Sequence, residues 1–169
     1  MSDIDAINNK DSFGNLQQYY LNIIDAMPHI VYILDKNCVL TGGNRNLRNF
    51  LGLEQIEELN GTFYTQLVNH QHFSEERIQL LKQYDINALL SGAAQYNTIE
   101  PPIVDPEGNI IHLSATRVPL LDNNKTVVGL VVILNDISER KKLDEQLEKI
   151  KKELKKINNE SKGNQKEKI

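Results

Sequence analysis

The spacing of apolar positions changes several times along the chain, and each change marks a predicted element. Between Leu16 and Met27 they recur every three or four residues, which predicts an amphipathic helix that ends at Pro28. Two short β-rich runs at residues 30–34 and 38–41 flank a polar turn and predict a hairpin. Short helices are expected next, followed by a longer helix that Ser74 caps and that ends at Ser91-Gly92.

Three extended runs follow, at residues 95–104, 110–120 and 127–134. Pro101 and Pro102 restrict the far end of the first run to a sheet edge or to an irregular pairing. The third is apolar at nearly every position, so we expect it mid-sheet with both faces covered. The order predicts an α+β fold with an antiparallel sheet and helices on one face. Either the helix of residues 16–27 or a second subunit is expected to cover the outer face.

The third run passes directly into a charged helix with heptad spacing. Asp136 and Glu139 have the spacing of a capping box, and Asp136 and Arg140 are four apart and could pair across the first turn. A joint without a flexible linker can transmit movement, so Asp136 and Arg140 are the predicted signal relay. The helix carries a predicted coiled-coil dimer seam at spacings of four and three, formed by Leu143, Leu147, Ile150, Leu154 and Ile157.

The composition fits one domain with appendages in a chain of 169 residues. We expect a disordered start at residues 1–14, the domain at 15–137, the coiled-coil helix at 138–158 and a disordered tail at 159–169. The net charge of −4 gives no general attraction to nucleic acid or to an anionic membrane, so neither is expected as a partner. The lone cysteine, Cys38, suits a reducing compartment, and no run is long enough to span a membrane. A cytoplasmic protein is expected.

The order of several motifs resembles the PAS domain family over about residues 16–142. They are Asn44, Leu51-Gly52, Gly61 seven residues after Glu54, Asp105-x-x-Gly108, Pro119-Leu120, Gly129 and the ending Asp136-Ile137-Ser138-Glu139-Arg140. The resemblance implies a five-stranded antiparallel sheet whose first and last strands are neighbours, with a pocket between the sheet and the middle helices. It also implies a sensor that passes its state to a C-terminal coiled coil, commonly linked to a histidine kinase or a cyclase.

Cofactor chemistry is restricted by a few residues. Flavin-binding members carry a cysteine where Tyr64 stands here, which rules out a cysteinyl-flavin adduct. The long helix has no histidine to ligate haem; His70 and His72 precede it, and His29 and His112 stand alone on extended runs. No motif for hydrolysis, phosphate binding or metal-dependent catalysis is present, so the chain is not expected to be an enzyme.

The expected function is therefore a PAS sensor or adaptor that forms a parallel homodimer and binds a small molecule or a partner, such as a kinase. The alternatives are a haem or metal redox sensor, and the sensor fragment of a histidine kinase. The predicted pocket lining, which could equally be ordinary core packing, consists of Tyr32, Asn44, Phe63, Tyr64, Ile78, Leu81, Leu113 and Ala115.

Overall fold

A five-stranded antiparallel sheet is the centre of the molecule, as the resemblance predicts. The computed structural model describes residues 18–54, 63–67, 73–105 and 107–166. The strands are β1 (Ile30–Asp35), β2 (Leu40–Gly43), β3 (Gln95–Ile99), β4 (Ile103–Val104), β5 (Ile110–Ile111), β6 (Leu113–Leu121) and β7 (Val127–Asp136). The sheet order is β2-β1-β7-β6-β3, and β4 and β5 form a separate small pair.

The central strand is β7, which pairs with β1 on one side and with β6 on the other. This confirms the predicted mid-sheet position of the apolar run, and β3 is an edge strand as its following prolines indicate. Gly129 of β7 lies opposite Asp35, and a Cβ there would lie 2.5 Å from the carbonyl oxygen of Leu34. The close approach of β1 and β7 therefore depends on glycine at this position.

Among the described residues one helix precedes the first hairpin and four helices follow it. They are α1 (residues 18–26), α2 (Arg45–Leu51), α3 (Phe63–Leu67), α4 (Glu75–Ser91) and α5 (Ser138–Lys166). The Ser74 side chain accepts a hydrogen bond from the backbone N–H of Arg77, and Gly92 ends α4 in the left-handed region, as predicted. Asn44 and Gly52 have the corresponding roles at the ends of α2.

The hydrophobic core lies between one face of the sheet and helices α2, α3 and α4. Inward side chains of β1, β6 and β7 alternate with outward ones, as expected for strands with one face on a core. The buried members include Tyr32, Leu34, Leu47, Leu51, Phe63, Leu67, Ile78, Leu81, Ala88, Leu113, Ala115, Leu130, Val132 and Leu134.

The two outer helices differ from their sequence predictions. Along α1, Tyr19, Tyr20, Leu21 and Ile23 are exposed, so in a single chain this stripe does not bury itself on the sheet. Helix α5 continues past Asn158, the predicted end, to Lys166. The predicted stop relied on asparagine, serine and one glycine, which lower helix propensity by about 1 kcal/mol per residue at most and so need not end a helix. The predicted disordered start at residues 1–14 lies outside the described residues.

Candidate ligand-binding and signalling site

A cluster of four charged side chains is buried between α4 and the sheet. Arg117 of β6 donates from Nε to Asp85 of α4 and from Nη1 to Glu100, each at 2.7 Å. Arg77 of α4 donates from Nη2 to the other oxygen of Glu100 at 3.0 Å, and from Nε to the Pro101 carbonyl oxygen. Asp85 and Arg117 are both 0% exposed. We call these four residues the buried charge cluster.

Two tyrosines extend the cluster into the aromatic part of the core. The hydroxyls of Tyr32 and Tyr64 both donate to Oδ2 of Asp85, at 2.8 and 2.7 Å. The ring of Phe63 lies between them, with centroids 4.9 Å from Tyr32 and 5.2 Å from Tyr64. One carboxylate therefore joins α4 to β1, α3 and β6.

Burial shifts the acid–base equilibria of this region. It raises the pKa of the Asp85 carboxyl, although the Arg117 guanidinium and the tyrosine hydroxyls oppose that shift. It also raises the pKa of the Tyr32 and Tyr64 hydroxyls well above the ordinary value, and the charge of Asp85 adds to both shifts. Both phenols are therefore neutral donors at physiological pH.

The cluster leaves two guanidinium nitrogens without a hydrogen-bond partner in the part of the chain that the structure describes. They are Nη1 of Arg77 and Nη2 of Arg117, and both are buried. Arginine has five N–H donors, and buried donors in native proteins are nearly always paired. All four carboxylate oxygens of the cluster thus accept hydrogen bonds, whereas one nitrogen of each guanidinium group has no acceptor among the described residues.

Most of the predicted lining residues do meet in one region. Tyr32, Phe63, Ile78, Leu81, Leu113 and Ala115 are buried members of the core, and Tyr64 packs against them. Asn44 does not join them, because its side chain is used elsewhere. Its oxygen accepts from the backbone N–H groups of Val31 and Leu47, and its amide donates to the carbonyls of Ile24 and His29. Asn44 is therefore a structural residue that joins α1, β1 and α2.

The charged members of the site were absent from the prediction, although the sequence contained a signal for them. Arg117 continues the inward alternation of Leu113 and Ala115 along β6. Asp85 occupies the same face of α4 as Ile78 and Leu81. Opposite charges at core-facing positions of two elements predict a buried pair, because an unpaired buried charge is costly.

The joint between β7 and α5 differs in detail from its prediction. Asp136 lies in β7, and its Oδ1 accepts from the backbone N–H of Ser138, the first residue of the helix. No ion pair between Asp136 and Arg140 occurs within the described ranges. The reason is that α5 begins at Ser138, so the predicted capping position falls before the helix and Asp136 makes a local turn.

A second contact at the joint comes from the opposite side. The Ser138 hydroxyl accepts from the backbone N–H of His112 at 2.8 Å, and the N–H of Ile137 donates to the carbonyl oxygen of His112 at 2.8 Å. His112 lies between β5 and β6. We call the contacts of His112 with Ile137 and Ser138 the β6–α5 bridge.

Apolar side chains are exposed on the outer side of the molecule. Ile99 and Leu120 lie on the outer face of the sheet, and the α5 seam residues Leu143, Leu147, Ile150, Leu154 and Ile157 are 50–58% exposed. Beside them, a cleft of about 410 Å³ lies between the sheet and the start of α5, where Asn97, Ser114, Arg140 and Asp144 contribute to its walls.

The described residues bear on the cofactor hypotheses through the candidate metal ligands and Tyr64. Within the described residues no group of three histidine, cysteine, aspartate or glutamate side chains could hold a metal ion. The candidate ligands His70 and His72 lie outside those residues. Tyr64, which stands at the flavin-cysteine position, donates its hydroxyl to Asp85. Cys38 lies in the turn before β2 rather than on a strand, with a φ of 62°.

The family sequence profile of the PAS fold matches residues 18–137, from α1 through the end of β7. The chain belongs to the PAS family. No curated protein sequence matches it. A PAS domain is generally a sensory, non-catalytic fold, and no catalytic family is indicated.

Solved structures share the PAS fold at low sequence identity. A Vibrio cholerae VqmA dimer matches with a TM-score of 0.58 and 18% identity, over 74% of this chain and 52% of that one. The PAS domain of a Colwellia psychrerythraea protein matches with a TM-score of 0.53 and 14% identity, over 73% of this chain and 98% of that one. The PAS domain of Bordetella pertussis BvgS has a TM-score of 0.50 at 16% identity, over 82% and 98% of the two chains.

The VqmA comparison corrects one prediction. This chain spans about half the length of the VqmA chains, which are described as DNA-binding LuxR-type receptors and as complexes with a ligand and DNA. Excluding a nucleic-acid partner was therefore wrong. The prediction rested on the net charge of −4 over the whole chain, and net charge alone does not exclude nucleic acid as a partner. As to membranes, no helix in the described ranges is long and apolar enough to cross one.

Proposed function

We propose that this chain is a homodimeric PAS sensor that binds a small molecule in its core and relays the bound state through α5. The observation that supports this most directly is a continuous hydrogen-bonded path from the buried charge cluster to the start of α5. The cluster is where a ligand would be detected, and α5 is the element through which a neighbouring domain would be affected.

The path has two steps, and each involves backbone groups. The backbone N–H of Glu100 donates to the carbonyl oxygen of Leu113 at 2.9 Å, so a shift of the Glu100 side chain acts on the first residue of β6. The preceding residue, His112, forms the β6–α5 bridge. A change in how Arg77 and Arg117 hold Glu100 would thus reach Ser138 through adjacent residues. In this proposal Asp136 orients Ser138, and Ser138 replaces Arg140 as the relay contact.

The homodimer is supported by the exposed apolar side chains of α1 and α5. Five seam residues at heptad spacing give α5 the pattern of a parallel coiled coil. The seam extends over residues 143–157, about two heptads, so the coiled coil alone provides a small contact area. The exposed stripe of α1 and the outer face of the sheet would add the remaining contact area.

Assembly is tested by sedimentation of the full chain and of a chain truncated after Lys142. The full chain should sediment as a dimer, and the truncated chain should be largely monomeric with its sheet still folded. A truncated chain that remains fully dimeric would place the interface on α1 and remove α5 from the proposal.

The relay is tested with spin labels on α5. Lys149→Cys, in a chain that also carries Cys38→Ser, places one label on each helix of the dimer. Glu100→Gln alters the buried charge cluster and should change the interlabel distance. Adding Ser138→Ala should reduce that change, because the bond from the His112 N–H to the Ser138 hydroxyl is lost while the backbone bond between Ile137 and His112 remains.

Arg140→Ala is the matched control for the relay. It lies on the same first turn of α5, and among the described residues no hydrogen bond joins it to His112, so the distance change should persist. A change that survives Ser138→Ala and is lost in Arg140→Ala would contradict the proposed path and restore the relay expected from the sequence.

For the effector domain on which α5 acts, we propose a class rather than a single protein. VqmA shares this fold and is described as a DNA-binding receptor, and one of its structures is described as VqmA bound to DPO. A transcriptional output therefore stands beside the histidine kinase output that the PAS resemblance suggests. The complete reading frame distinguishes them, because a kinase and a DNA-binding domain have different sequence signatures.

A further inference from the structure

A polar cleft lies on the outer face of the sheet, on the opposite side from the core. Its floor is a row of outward residues on three adjacent strands, in which Ile99 pairs with Ser114 and Ser114 pairs with Asn135. Arg140 and Asp144 of α5 contribute to its wall. The volume of about 410 Å³ falls within the range of small-molecule sites, roughly 300–1,000 Å³. The cleft therefore has room for a small metabolite between the sheet and the start of α5.

The floor of the cleft carries polar groups that the chain does not use. Ser114 is only 5% exposed, and no hydrogen bond joins its hydroxyl to another residue that the structure describes. The side-chain amide of Asn135, which is half-buried beside it, has no such bond either. Buried polar side chains in native proteins nearly always have a partner. The floor thus offers a hydroxyl and an amide to whatever occupies the cleft.

The wall of the cleft carries opposite charges that do not pair with each other. Arg140 and Asp144 are four residues apart on α5, which is close enough for an ion pair. Within the described ranges neither of them forms one, and neither does the lining residue Lys141. Arg140 lies in the first turn of α5, where the helix dipole also favours a negative group. The wall can therefore receive an anion at Arg140 and a cation at Asp144.

This chemistry favours a small polar occupant over a second copy of the chain. A second copy would present the apolar stripe of α1 or the apolar seam of α5, both of which are exposed. Either stripe would remove water from Arg140, Asp144 and Ser114 without supplying partners, and the burial of unpaired polar groups is costly. A molecule with both charges would pair each of them in turn.

We propose that the cleft binds a free amino acid. Its carboxylate pairs with Arg140 and its ammonium group with Asp144, while Ser114 and Asn135 hydrogen-bond to it and its apolar side chain packs on Ile99. The site is separate from the core that the proposed function assigns to a small molecule, so it does not depend on that function. A bound amino acid would contact the sheet and α5 at the same time.

Three compounds of matched shape test the class by NMR titration of the full chain. L-Leucine carries both charges, 4-methylpentanoate lacks the ammonium group, and 3-methylbutylamine lacks the carboxylate. Leucine should bind about fivefold tighter than either of the others, which is the effect of one partly exposed ion pair. The amide signals of Ser114, Asn135 and Arg140 should shift as leucine is added.

Two substitutions assign each charge of the ligand to its partner. Arg140→Gln should reduce the affinity for leucine to that for 3-methylbutylamine, because the carboxylate loses its partner. Asp144→Asn should reduce it to that for 4-methylpentanoate and should not weaken 4-methylpentanoate itself. Lys142→Gln and Glu145→Gln are the matched controls, since both side chains are exposed on α5 outside the cleft, and both should bind leucine like the parent.

Several outcomes would overturn the proposal. They are equal affinities for the three compounds, no binding of leucine at millimolar concentration, and control variants that weaken leucine as much as Arg140→Gln does. Shifts confined to core residues such as Ile78 and Leu81 would place leucine in the core, which overturns this site and leaves the sensor proposal standing. If the Ser114 signal shifts with protein concentration but not with leucine, a second copy occupies the cleft and the amino acid is excluded.

Discussion

The two faces of the central sheet depart from the usual distribution of polar and apolar residues in opposite directions. On the inner face, Arg117 occupies a fully buried position between Leu113 and Pro119. On the outer face, Ile99 is 57% exposed and Leu120 is 37% exposed. A domain that only had to fold would place these residue types the other way round. The proposed function accounts for this difference by a ligand on the inner face and a second subunit on the outer face.

Breaking the buried pair should have the largest effect on the inner face. Arg117→Met leaves Asp85 without its ion pair, and removing one partner of a buried pair typically costs about 3–5 kcal/mol. Urea unfolding measures the loss. The double variant Arg117→Met/Asp85→Leu should recover much of the lost stability. It has no unpaired carboxylate at position 85, and Glu100 keeps Arg77 as its partner.

Arg48→Met is the control for that experiment. Its pair with Asp25 is partly exposed and 3.6 Å long, so the expected loss is about 0–1 kcal/mol. Equal unfolding midpoints for Arg117→Met and Arg48→Met would mean that the inner face does not depend on its charges.

The outer face is probed by Ile23→Ala on α1. Ile23 is 56% exposed in a single chain, so a monomer should lose little stability. If a second subunit covers it, the loss should approach the 2–5 kcal/mol, roughly, of a buried isoleucine truncation, and should depend on protein concentration. Thermal unfolding over a range of concentrations measures both.

Leu90→Ala is the matched control, since Leu90 is an exposed leucine at the end of α4, on another element. Its effect should stay within about 0.5 kcal/mol at every concentration, as for ordinary surface positions. If Ile23→Ala loses as little stability as Leu90→Ala at every protein concentration, the outer face is not covered by α1 of either subunit.

A smaller effect on the free energy of unfolding, which depends on pH, is expected for the Tyr64 hydroxyl on the inner face. The folded state raises the pKa of Tyr64, so above the ordinary value of 10.0 the unfolded chain releases a proton that the folded chain retains. The stabilising contribution is therefore complete below pH 10 and decreases above it, by about 1.4 kcal/mol per pH unit for one group. Tyr64→Phe should reduce this dependence in urea unfolding at high pH.

Tyr96→Phe serves as its control, because the Tyr96 side chain is exposed on β3 and contributes nothing to the cluster. Below pH 10 the two variants should differ by a constant amount, the cost of the lost hydrogen bond to Asp85, and above pH 10 that difference should decrease. A Tyr64→Phe protein whose alkaline unfolding follows that of the parent would show that the Tyr64 hydroxyl is not held by Asp85.

The sequence was sufficient for the elements whose patterns are local. The apolar run of β7 predicted a central strand, Ser74 and Gly92 predicted the ends of α4, and the ordered motifs predicted the PAS family. The buried charge cluster was not predicted, because it joins positions on α4, β6 and the segment after β3 that no local pattern relates. The bridge from His112 to Ser138 was not predicted for the same reason, and Asn44 was misplaced because its motif does not reveal which backbone groups surround it.

The separation of the cluster residues along the chain has a consequence for folding kinetics. The bonds from Tyr32 to Asp85 and from Arg117 to Asp85 join residues 53 and 32 positions apart, so they form only after long loops have closed. Contacts absent from the folding transition state act mainly on the unfolding rate. The buried charge cluster should therefore set how long the folded domain persists rather than how fast it forms.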